Sequence, residues 1–154
     1  MDNLIKTTAE AVENEAISCG RVVHSDPAAP ATPEQIPLPK GVARKPIGEK
    51  SPAEWAYQRI ILYLKNFEEQ LDKGHEVAMG FTGSSAGVLR IEGVGYFDPD
   101  MLTFYGQDET GTRMQLVQHV TQLNVMLRAA TKESPATEPP RRIGFRLAQD
   151  LGET

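Results

Sequence analysis

The sequence predicts an α+β fold in which an N-terminal amphipathic helix precedes a small, strongly bent, five-stranded antiparallel sheet or barrel, with an edge strand added at the C-terminus. Three observations support this prediction. A helix cap stands directly before a long apolar stripe, and short segments that alternate apolar and polar residues follow it. The second of these segments changes its apolar face at Gly93, as a β-bulge does, and bulges bend small sheets.

The helix is predicted over residues 52–72. Ser51 and Glu54 have the spacing of a capping box, and Pro52 suits the first helical position. Apolar side chains then recur every three or four residues on one face: Ala56, Ile60, Leu64, Phe67 and Leu71. Gly74 is predicted to end the helix. A helix of this length spans about 30 Å, more than a small barrel needs. We therefore expect it to contact another subunit or a protein partner.

Strands are predicted where apolar and polar residues alternate, at residues 76–82, 88–97, 101–105, 114–119 and 123–130. The clusters GSSAG, DPD and GQDETG separate the first four, and their glycine, proline and aspartate residues favour tight turns. A kink is expected at residues 119–122. The stretch 116–127 also fits a helix, because its apolar residues fall at helical spacing as well, but its β-branched content favours strand.

The two ends of the chain are predicted to lie outside this core. Residues 1–50 are expected to form a disordered arm, because proline recurs every few residues in its second half. A short docking helix within its first 18 residues is an alternative. Residues 132–140 are a proline-rich loop that we expect to be mobile. Residues 141–148 alternate cationic and apolar side chains, which is typical of an edge strand, and 149–154 form a tail.

Composition places the 154-residue chain among single-domain proteins. No apolar run approaches the roughly 18 residues that a membrane span needs, and the first residues lack the basic patch and apolar run of a secretory signal. The single cysteine, Cys19, has no partner for an internal disulfide, which fits a reducing compartment. We therefore expect a cytoplasmic protein that does not contact membranes.

The charge distribution disfavours nucleic acid as a ligand. Residues 51–131 contain six basic and ten acidic side chains, so the predicted core is acidic. Proteins that neutralise phosphates normally present a basic face, so we expect no DNA binding and only a few local contacts with RNA at most. The dense basic patch of the chain is the group Arg141, Arg142 and Arg146.

No motif in the sequence predicts catalysis, a metal or a cofactor. The GSSAG turn lacks the lysine and the following helix of a phosphate-binding loop. Asp98 and Asp100 lack a third ligand at suitable spacing, and turn formation explains both. Of the three histidines only His119 is placed for chemistry, and no nucleophile or carboxylate is tied to it by a motif. We expect a protein that is not an enzyme and that needs no cofactor.

Two segments resemble the bacterial Sm-like RNA chaperone. Tyr96-Phe97-Asp98, followed by MLTF, resembles the Phe-Asp turn between its second and third strands. The segment QLVQHVT is similar to its fourth-strand segment, where a Lys-His pair lines the RNA-binding pore. The resemblance implies an Sm-like or SH3-like small barrel, with Phe97 as the base-stacking aromatic, Asp98 as its turn partner and His119 as the pore residue. Gln118 stands where that family has its lysine, which removes a phosphate contact.

A second resemblance covers more of the chain. YFDPDMLTFYG, QHVTQLN and PRRIGF together resemble a proteobacterial domain family of unknown function, from the helix to Leu147. We expect a small β-barrel interaction module, which forms homo-oligomers or binds a protein partner through the 52–72 helix. The alternative is an Sm-like single-stranded RNA-binding protein in post-transcriptional regulation. The candidate binding residues are Phe97, Asp98, Gln118, His119, Arg141, Arg142 and Arg146.

Overall fold

The computed structural model describes residues 20–81 and 87–152. Cys19, the first 18 residues and most of the GSSAG turn lie outside the described residues. The helices are α1 (Lys40–Ala43), α2 (Pro52–Glu69) and α3 (Ile143–Asp150). The strands are β1 (His75–Phe81), β2 (Val88–Phe97), β3 (Met101–Gln107), β4 (Arg113–His119) and β5 (Val125–Thr131). Short 3-10 turns cover Pro33–Gln35, Ile47–Glu49 and Val120–Gln122. None of the described helices combines the length and the hydropathy of a membrane span.

The start of α2 confirms half of the predicted capping box. The Ser51 hydroxyl accepts a hydrogen bond of 3.0 Å from the backbone N–H of Glu54. The Glu54 carboxylate does not complete the box and instead pairs with the Lys45 ammonium at 3.0 Å. The predicted stop at Gly74 is wrong: α2 ends at Glu69, because the next amides bond carbonyls only three residues back and tighten the last turn.

The sheet contains the five antiparallel strands that the sequence predicts, in the order β4-β3-β2-β1-β5. The stretch 116–127, which also fitted a helix, contains the end of β4, a 3-10 turn and the start of β5. The register of β2 against β3 shifts between Ile91 and Gly93, which confirms the predicted bulge. No ladder joins β4 to β5 in the described ranges, so the sheet is not closed and a barrel is not confirmed.

Helix α2 packs against one face of this sheet and forms the core with it. The largest buried apolar side chains come from both layers: Phe104, Ile61, Leu64, Met79 and Leu102. The Phe81 ring packs edge-on against Phe104, with 5.2 Å between ring centroids. The apolar stripe read from the sequence is therefore the face of α2 that the sheet covers.

The predicted C-terminal edge strand at residues 141–148 is wrong, because residues 143–150 form helix α3. Gly144 explains how this helix packs on α2: a Cβ atom there would lie 2.6 Å from the Lys65 backbone nitrogen and 2.7 Å from the Leu64 carbonyl carbon. Glycine thus allows α3 to pack closely on α2, and Ala148 extends this small face by one turn. Ile143 and Leu147, which are four residues apart, both pack against the core. This helical spacing decides the structure of the segment, and the strand-like alternation of apolar and polar residues does not.

Residues 20–50 also differ from the disordered arm that the sequence predicts. Val42 of α1 is fully buried, and the Gly41 N–H donates to the carbonyl of Gly152 at 3.0 Å. The Lys50 ammonium is buried and donates to Gln58 of α2 at 2.7 Å. Prolines precede or begin the short helical turns here instead of excluding them, since proline suits a first helical position. Residues 132–140 form an irregular connection, and their mobility stays a prediction.

Candidate functional site

The seven residues singled out from the sequence lie in two places. Phe97, Asp98, Gln118 and His119 surround the turn between β2 and β3 and the end of β4. Arg141, Arg142 and Arg146 lie at the start of α3, beside the beginning of β1 and the first half of β2. Strand β2 runs from one group to the other, so the two groups do not form a single site.

The structure brings Phe97 and His119 onto one face of the sheet. Phe97 pairs with Met101, and Met101 pairs with His119, so the three side chains form one cross-strand row. The Phe97 side chain is 75% exposed. A flat aromatic surface open to solvent is therefore available at this corner.

Neither ring nitrogen of His119 is free. Nδ1 accepts a hydrogen bond of 3.1 Å from the backbone N–H of Thr121, which caps the 3-10 turn after β4. Nε2 lies 3.1 Å from the Asp100 carboxylate. Because Nδ1 is an acceptor, neutral His119 carries its proton on Nε2 and donates it to Asp100. His119 thus joins β4 to the turn between β2 and β3.

Asp98 and Gln118 also serve the local fold. The Asp98 carboxylate accepts from the Ser51 hydroxyl at 2.5 Å, which ties the turn to the start of α2. Gln118 pairs with Leu102 and therefore points to the opposite face from His119. Its amide oxygen is buried without a hydrogen-bond partner among the described residues.

The three C-terminal arginines line a cleft that only the tertiary structure assembles. It has a volume of about 420 Å³ and lies between the start of α3 and the adjacent parts of β1 and β2. We call it the arginine pocket; it is lined by Glu76, Val77, Arg90, Ile91, Glu92, Arg141, Arg142, Ile143 and Arg146.

Glu76 and Arg90 form the fixed floor of the arginine pocket. The Glu76 carboxylate is 6% exposed and accepts from the Arg141 backbone N–H at 2.6 Å. The Arg90 guanidinium lies 3.6 Å from Glu76 and 3.2 Å from the Glu133 carboxylate, and it donates to the Thr131 carbonyl at 2.8 Å. The charge of Arg90 is therefore balanced within the fold.

The other three arginines are less well balanced. The Arg142 guanidinium donates to the carbonyls of His75 at 2.7 Å and Asp72 at 2.9 Å, and both acceptors are neutral. Arg141 reaches one carboxylate, that of Glu92, at 4.0 Å. The exposed Arg146 side chain has no hydrogen bond or ion pair with any described residue. The arginine pocket is thus a cleft in which part of the positive charge is not neutralised by a direct ion pair with a described residue.

Sequence reasoning identified the three C-terminal arginines but not Arg90, Glu76 or Glu92. The available signal was the alternation in β2, which puts Arg90 and Glu92 on the polar side of the strand. Treating residues 141–148 as a strand gave no reason to place the arginines against that side.

A family model matches residues 46–146, which span α2, the sheet and the first residues of α3. The chain belongs to DUF6173, a family of unknown function. This confirms the resemblance to a domain family of unknown function. No curated protein and no solved structure matches the chain significantly, and the resemblance to the Sm-like family gains no support.

A buried carboxylate of the DUF6173 domain holds α3 in place beside the pocket. The Glu68 side chain is 2% exposed, and one of its oxygens accepts from the Phe145 backbone N–H at 3.0 Å. Burial raises the pKa of Glu68 to about 7, although the first amides of α3 and the nearby Arg142 act in the opposite direction. Its second oxygen has no hydrogen-bond partner within the described ranges.

The described parts of the DUF6173 domain contain no group of three or more histidine, cysteine, aspartate or glutamate residues that could hold a metal ion. What the two places offer is an aromatic surface at Phe97 and a cationic cleft at α3. Both are suited to binding by contact, through stacking and through charge-assisted hydrogen bonds.

Proposed function

We propose that the DUF6173 domain is a non-enzymatic interaction module that forms homo-oligomers through the two edges of its sheet. The observation that carries this proposal is the open sheet. β4 and β5, each seven residues long, are its outer strands, and neither has a second strand partner in the described part of the chain.

Unpaired edges favour strand addition, because they present rows of free N–H and C=O groups. Proline and bulges, which commonly protect an edge, are missing from β4 and β5. The core-facing side chains of both strands are only partly buried: Met114 and Leu116 in β4, Val125 and Leu127 in β5. On the opposite face Val117 is 55% and Met126 is 60% exposed. A strand from a second copy would cover these apolar groups.

The pairing we propose joins β4 of one copy to β5 of the next. Such a contact is heterologous, so it leads to a closed ring where the rotation between copies closes, and to a filament where it does not. Each copy contributes one edge of each kind, so a ring would leave no sheet edge free.

The sequence-based expectation placed the contact on the 52–72 helix. Within the chain, however, α2 packs against the sheet, against α3 and against the 3-10 turn Pro33–Gln35, and Ile61 is fully buried. These neighbours remove much of the surplus apolar face on which the expectation rested. The edges are therefore the surface that we favour.

Light scattering on the purified protein tests this proposal. We expect a molar mass that is a multiple of that of the chain, stable to dilution into the low micromolar range. A monomer at every soluble concentration would contradict assembly through the edges. Recording absorbance at 260 nm and 280 nm in the same run reports nucleic acid that copurifies.

Single-stranded RNA binding is a second candidate, and the exposed Phe97 favours it. A solvent-open aromatic ring can stack on any base. Two observations weigh against it: both ring nitrogens of His119 are engaged, and Asp98 and Asp100 put negative charge beside the stacking surface.

Replacing Phe97 with alanine tests the RNA alternative. If bases stack there, F97A should weaken oligonucleotide binding about tenfold or more, as for other stacking aromatics, and affinity should fall with salt. Fluorescence anisotropy with labelled single-stranded RNA measures both effects. Val23→Ala, at an exposed position in the N-terminal arm, is the control and should bind as the wild type does. Absence of wild-type binding at low salt would eliminate this candidate.

A further inference from the structure

We propose that the arginine pocket binds a small organic oxyanion, which is a phosphate ester or a carboxylate on a compact, hydroxyl-bearing carbon body. This goes beyond the proposed assembly and does not depend on it, because none of the lining residues belongs to β4 or β5.

Contacts within the described part of the fold leave part of the positive charge at the arginine pocket without an ion-pair partner. Arg146 has no partner among the described residues, and Arg141 is at the distance limit of an ion pair with Glu92. Arg142 is held by two neutral carbonyls, and the nearby Glu68 and Asp72 carboxylates act on its charge without forming a direct ion pair with it in the described ranges. Guanidinium groups bind oxyanions with paired, charge-assisted hydrogen bonds, so an anion fits this arrangement better than a neutral ligand does.

The pocket is organised before any ligand enters. Arg142 bonds the residues that precede and begin β1, and Glu76 bonds the backbone of Arg141. These contacts tie the first turn of α3 to the sheet. Side chains and backbone that are already fixed lose little conformational entropy on binding, which favours affinity.

The size and the walls of the pocket suit a small organic molecule. Its volume of about 420 Å³ lies in the range of small-molecule sites. Ile143 and the small exposed parts of Val77 and Ile91 supply apolar wall, which suits a carbon body. The Glu76 and Glu92 carboxylates can accept hydrogen bonds from hydroxyl groups of the same ligand.

The carboxylates also argue against a nucleic-acid strand. A phosphate backbone that crosses the pocket would have to pass Glu76 and Glu92, in a domain whose core is acidic. A compact anion avoids this repulsion, because it places one charged group among the arginines and turns its hydroxyl groups to the carboxylates.

The experiment is a titration of the full chain at low ionic strength with two probes used separately, glycerol phosphate and malate. Binding is followed by NMR, through the backbone and guanidinium N–H signals of the arginines, and by calorimetry. We expect saturable shifts at Arg141 and Arg146 with at least one probe. Binding of glycerol phosphate alone identifies a phosphate site, and binding of malate alone identifies a carboxylate site.

Variants then connect the signal to the pocket. Arg146→Gln removes a charge without breaking any contact with the described residues, and it should raise the dissociation constant about tenfold or more. Arg44→Gln is the matched control, because Arg44 is also exposed and lies outside the pocket. It should leave the dissociation constant unchanged.

Three results would overturn the proposal. One is the absence of saturable binding with both probes, and another is an equal loss of affinity in the Arg146 and Arg44 variants. The third is binding of single-stranded RNA at the arginines by a protein that ignores both small anions. Light scattering with and without the probe measures assembly separately from anion binding. A failure of the anion-binding proposal can therefore be distinguished from a failure of the edge-pairing proposal.

Discussion

Gly144→Ala is expected to lower the free energy of unfolding by about 3 kcal/mol, the upper end of what overpacking usually costs. The new methyl group would lie 2.6–2.7 Å from backbone atoms of Lys65 and Leu64 and from the Glu68 carboxylate. Backbone atoms cannot move aside as a flexible side chain can, so α3 would have to shift away from α2. Urea denaturation followed by circular dichroism measures the loss.

Gly48→Ala is the matched control for this substitution. A Cβ atom at Gly48 would meet nothing within 4 Å, so the stability should change little. If α3 is displaced, Gly144→Ala should also weaken anion binding at the arginine pocket, since Arg141 and Arg142 lead into the displaced helix. Equal stability of the two variants would contradict the close packing of α3 on α2.

The second large effect concerns pH and Glu68. Its pKa of about 7 in the fold lies above the ordinary value of a glutamate, so the native state keeps a proton that the unfolded chain releases. Stability from this group is present at low pH and is lost as the pH rises through the interval from the ordinary pKa to about 7. Above the folded-state pKa, the free energy of unfolding is lower by about 3 kcal/mol than it is at low pH.

Glu68→Gln isolates this effect, because the amide keeps an oxygen for the Phe145 N–H and cannot ionise. We expect the stability of the variant relative to the wild type to increase from pH 5 to pH 8, measured by denaturation at fixed ionic strength. Glu69→Gln, at an exposed neighbouring carboxylate, should have a free energy of unfolding that changes with pH as that of the wild type does. If the free energy of unfolding of Glu68→Gln also changed with pH as the wild type does, the raised pKa of Glu68 would be refuted.

The parts of the fold that the sequence predicted are those that local patterns determine. The stripe of α2 and its cap at Ser51 are contained within a few turns of chain, and the alternation in the strands identifies the buried face of each. The bulge beside Gly93 was visible for the same reason, since a change of face is a local event. Strand order and the open edges follow from contacts between distant segments, which periodicity does not report.

Helix α3 could not be predicted from its own residues. Ile143, Phe145 and Leu147 alternate with polar or small residues, as in a strand, and Gly144 is a poor helix former in isolation. The close approach of α2, the packing of Ile143 and Leu147 on the core, and the carboxylate of Glu68 at the first amides favour the helical form.

In the candidate sites too, local sequence pattern predicted some features, while others depend on tertiary contacts. That Phe97 and His119 share one face followed from strand alternation, but the bonds of His119 to Thr121 and Asp100 depend on the turn geometry. The cationic character of Arg141, Arg142 and Arg146 was visible in the chain. The cleft they form with β1 and β2 required knowledge of where α3 docks.

In the proposed assembly, β4 of one copy pairs with β5 of the next. Val117→Asp should block the β4 edge, and Met126→Asp should block the β5 edge. Both wild-type side chains are exposed, so the fold should be retained. Val23→Asp is the control, because Val23 is exposed and lies outside the sheet, and it should assemble normally.

The most direct measurement is the molar mass of these two edge variants alone and mixed in equal amounts, by light scattering or sedimentation. Each variant alone should be a monomer, because it has one usable edge of one kind. The mixture should contain dimers, since the free β5 of the first variant can pair with the free β4 of the second. The pairing of β4 with β5 would be contradicted if the wild type and the mixture were both monomeric. It would also be contradicted if either variant alone formed oligomers.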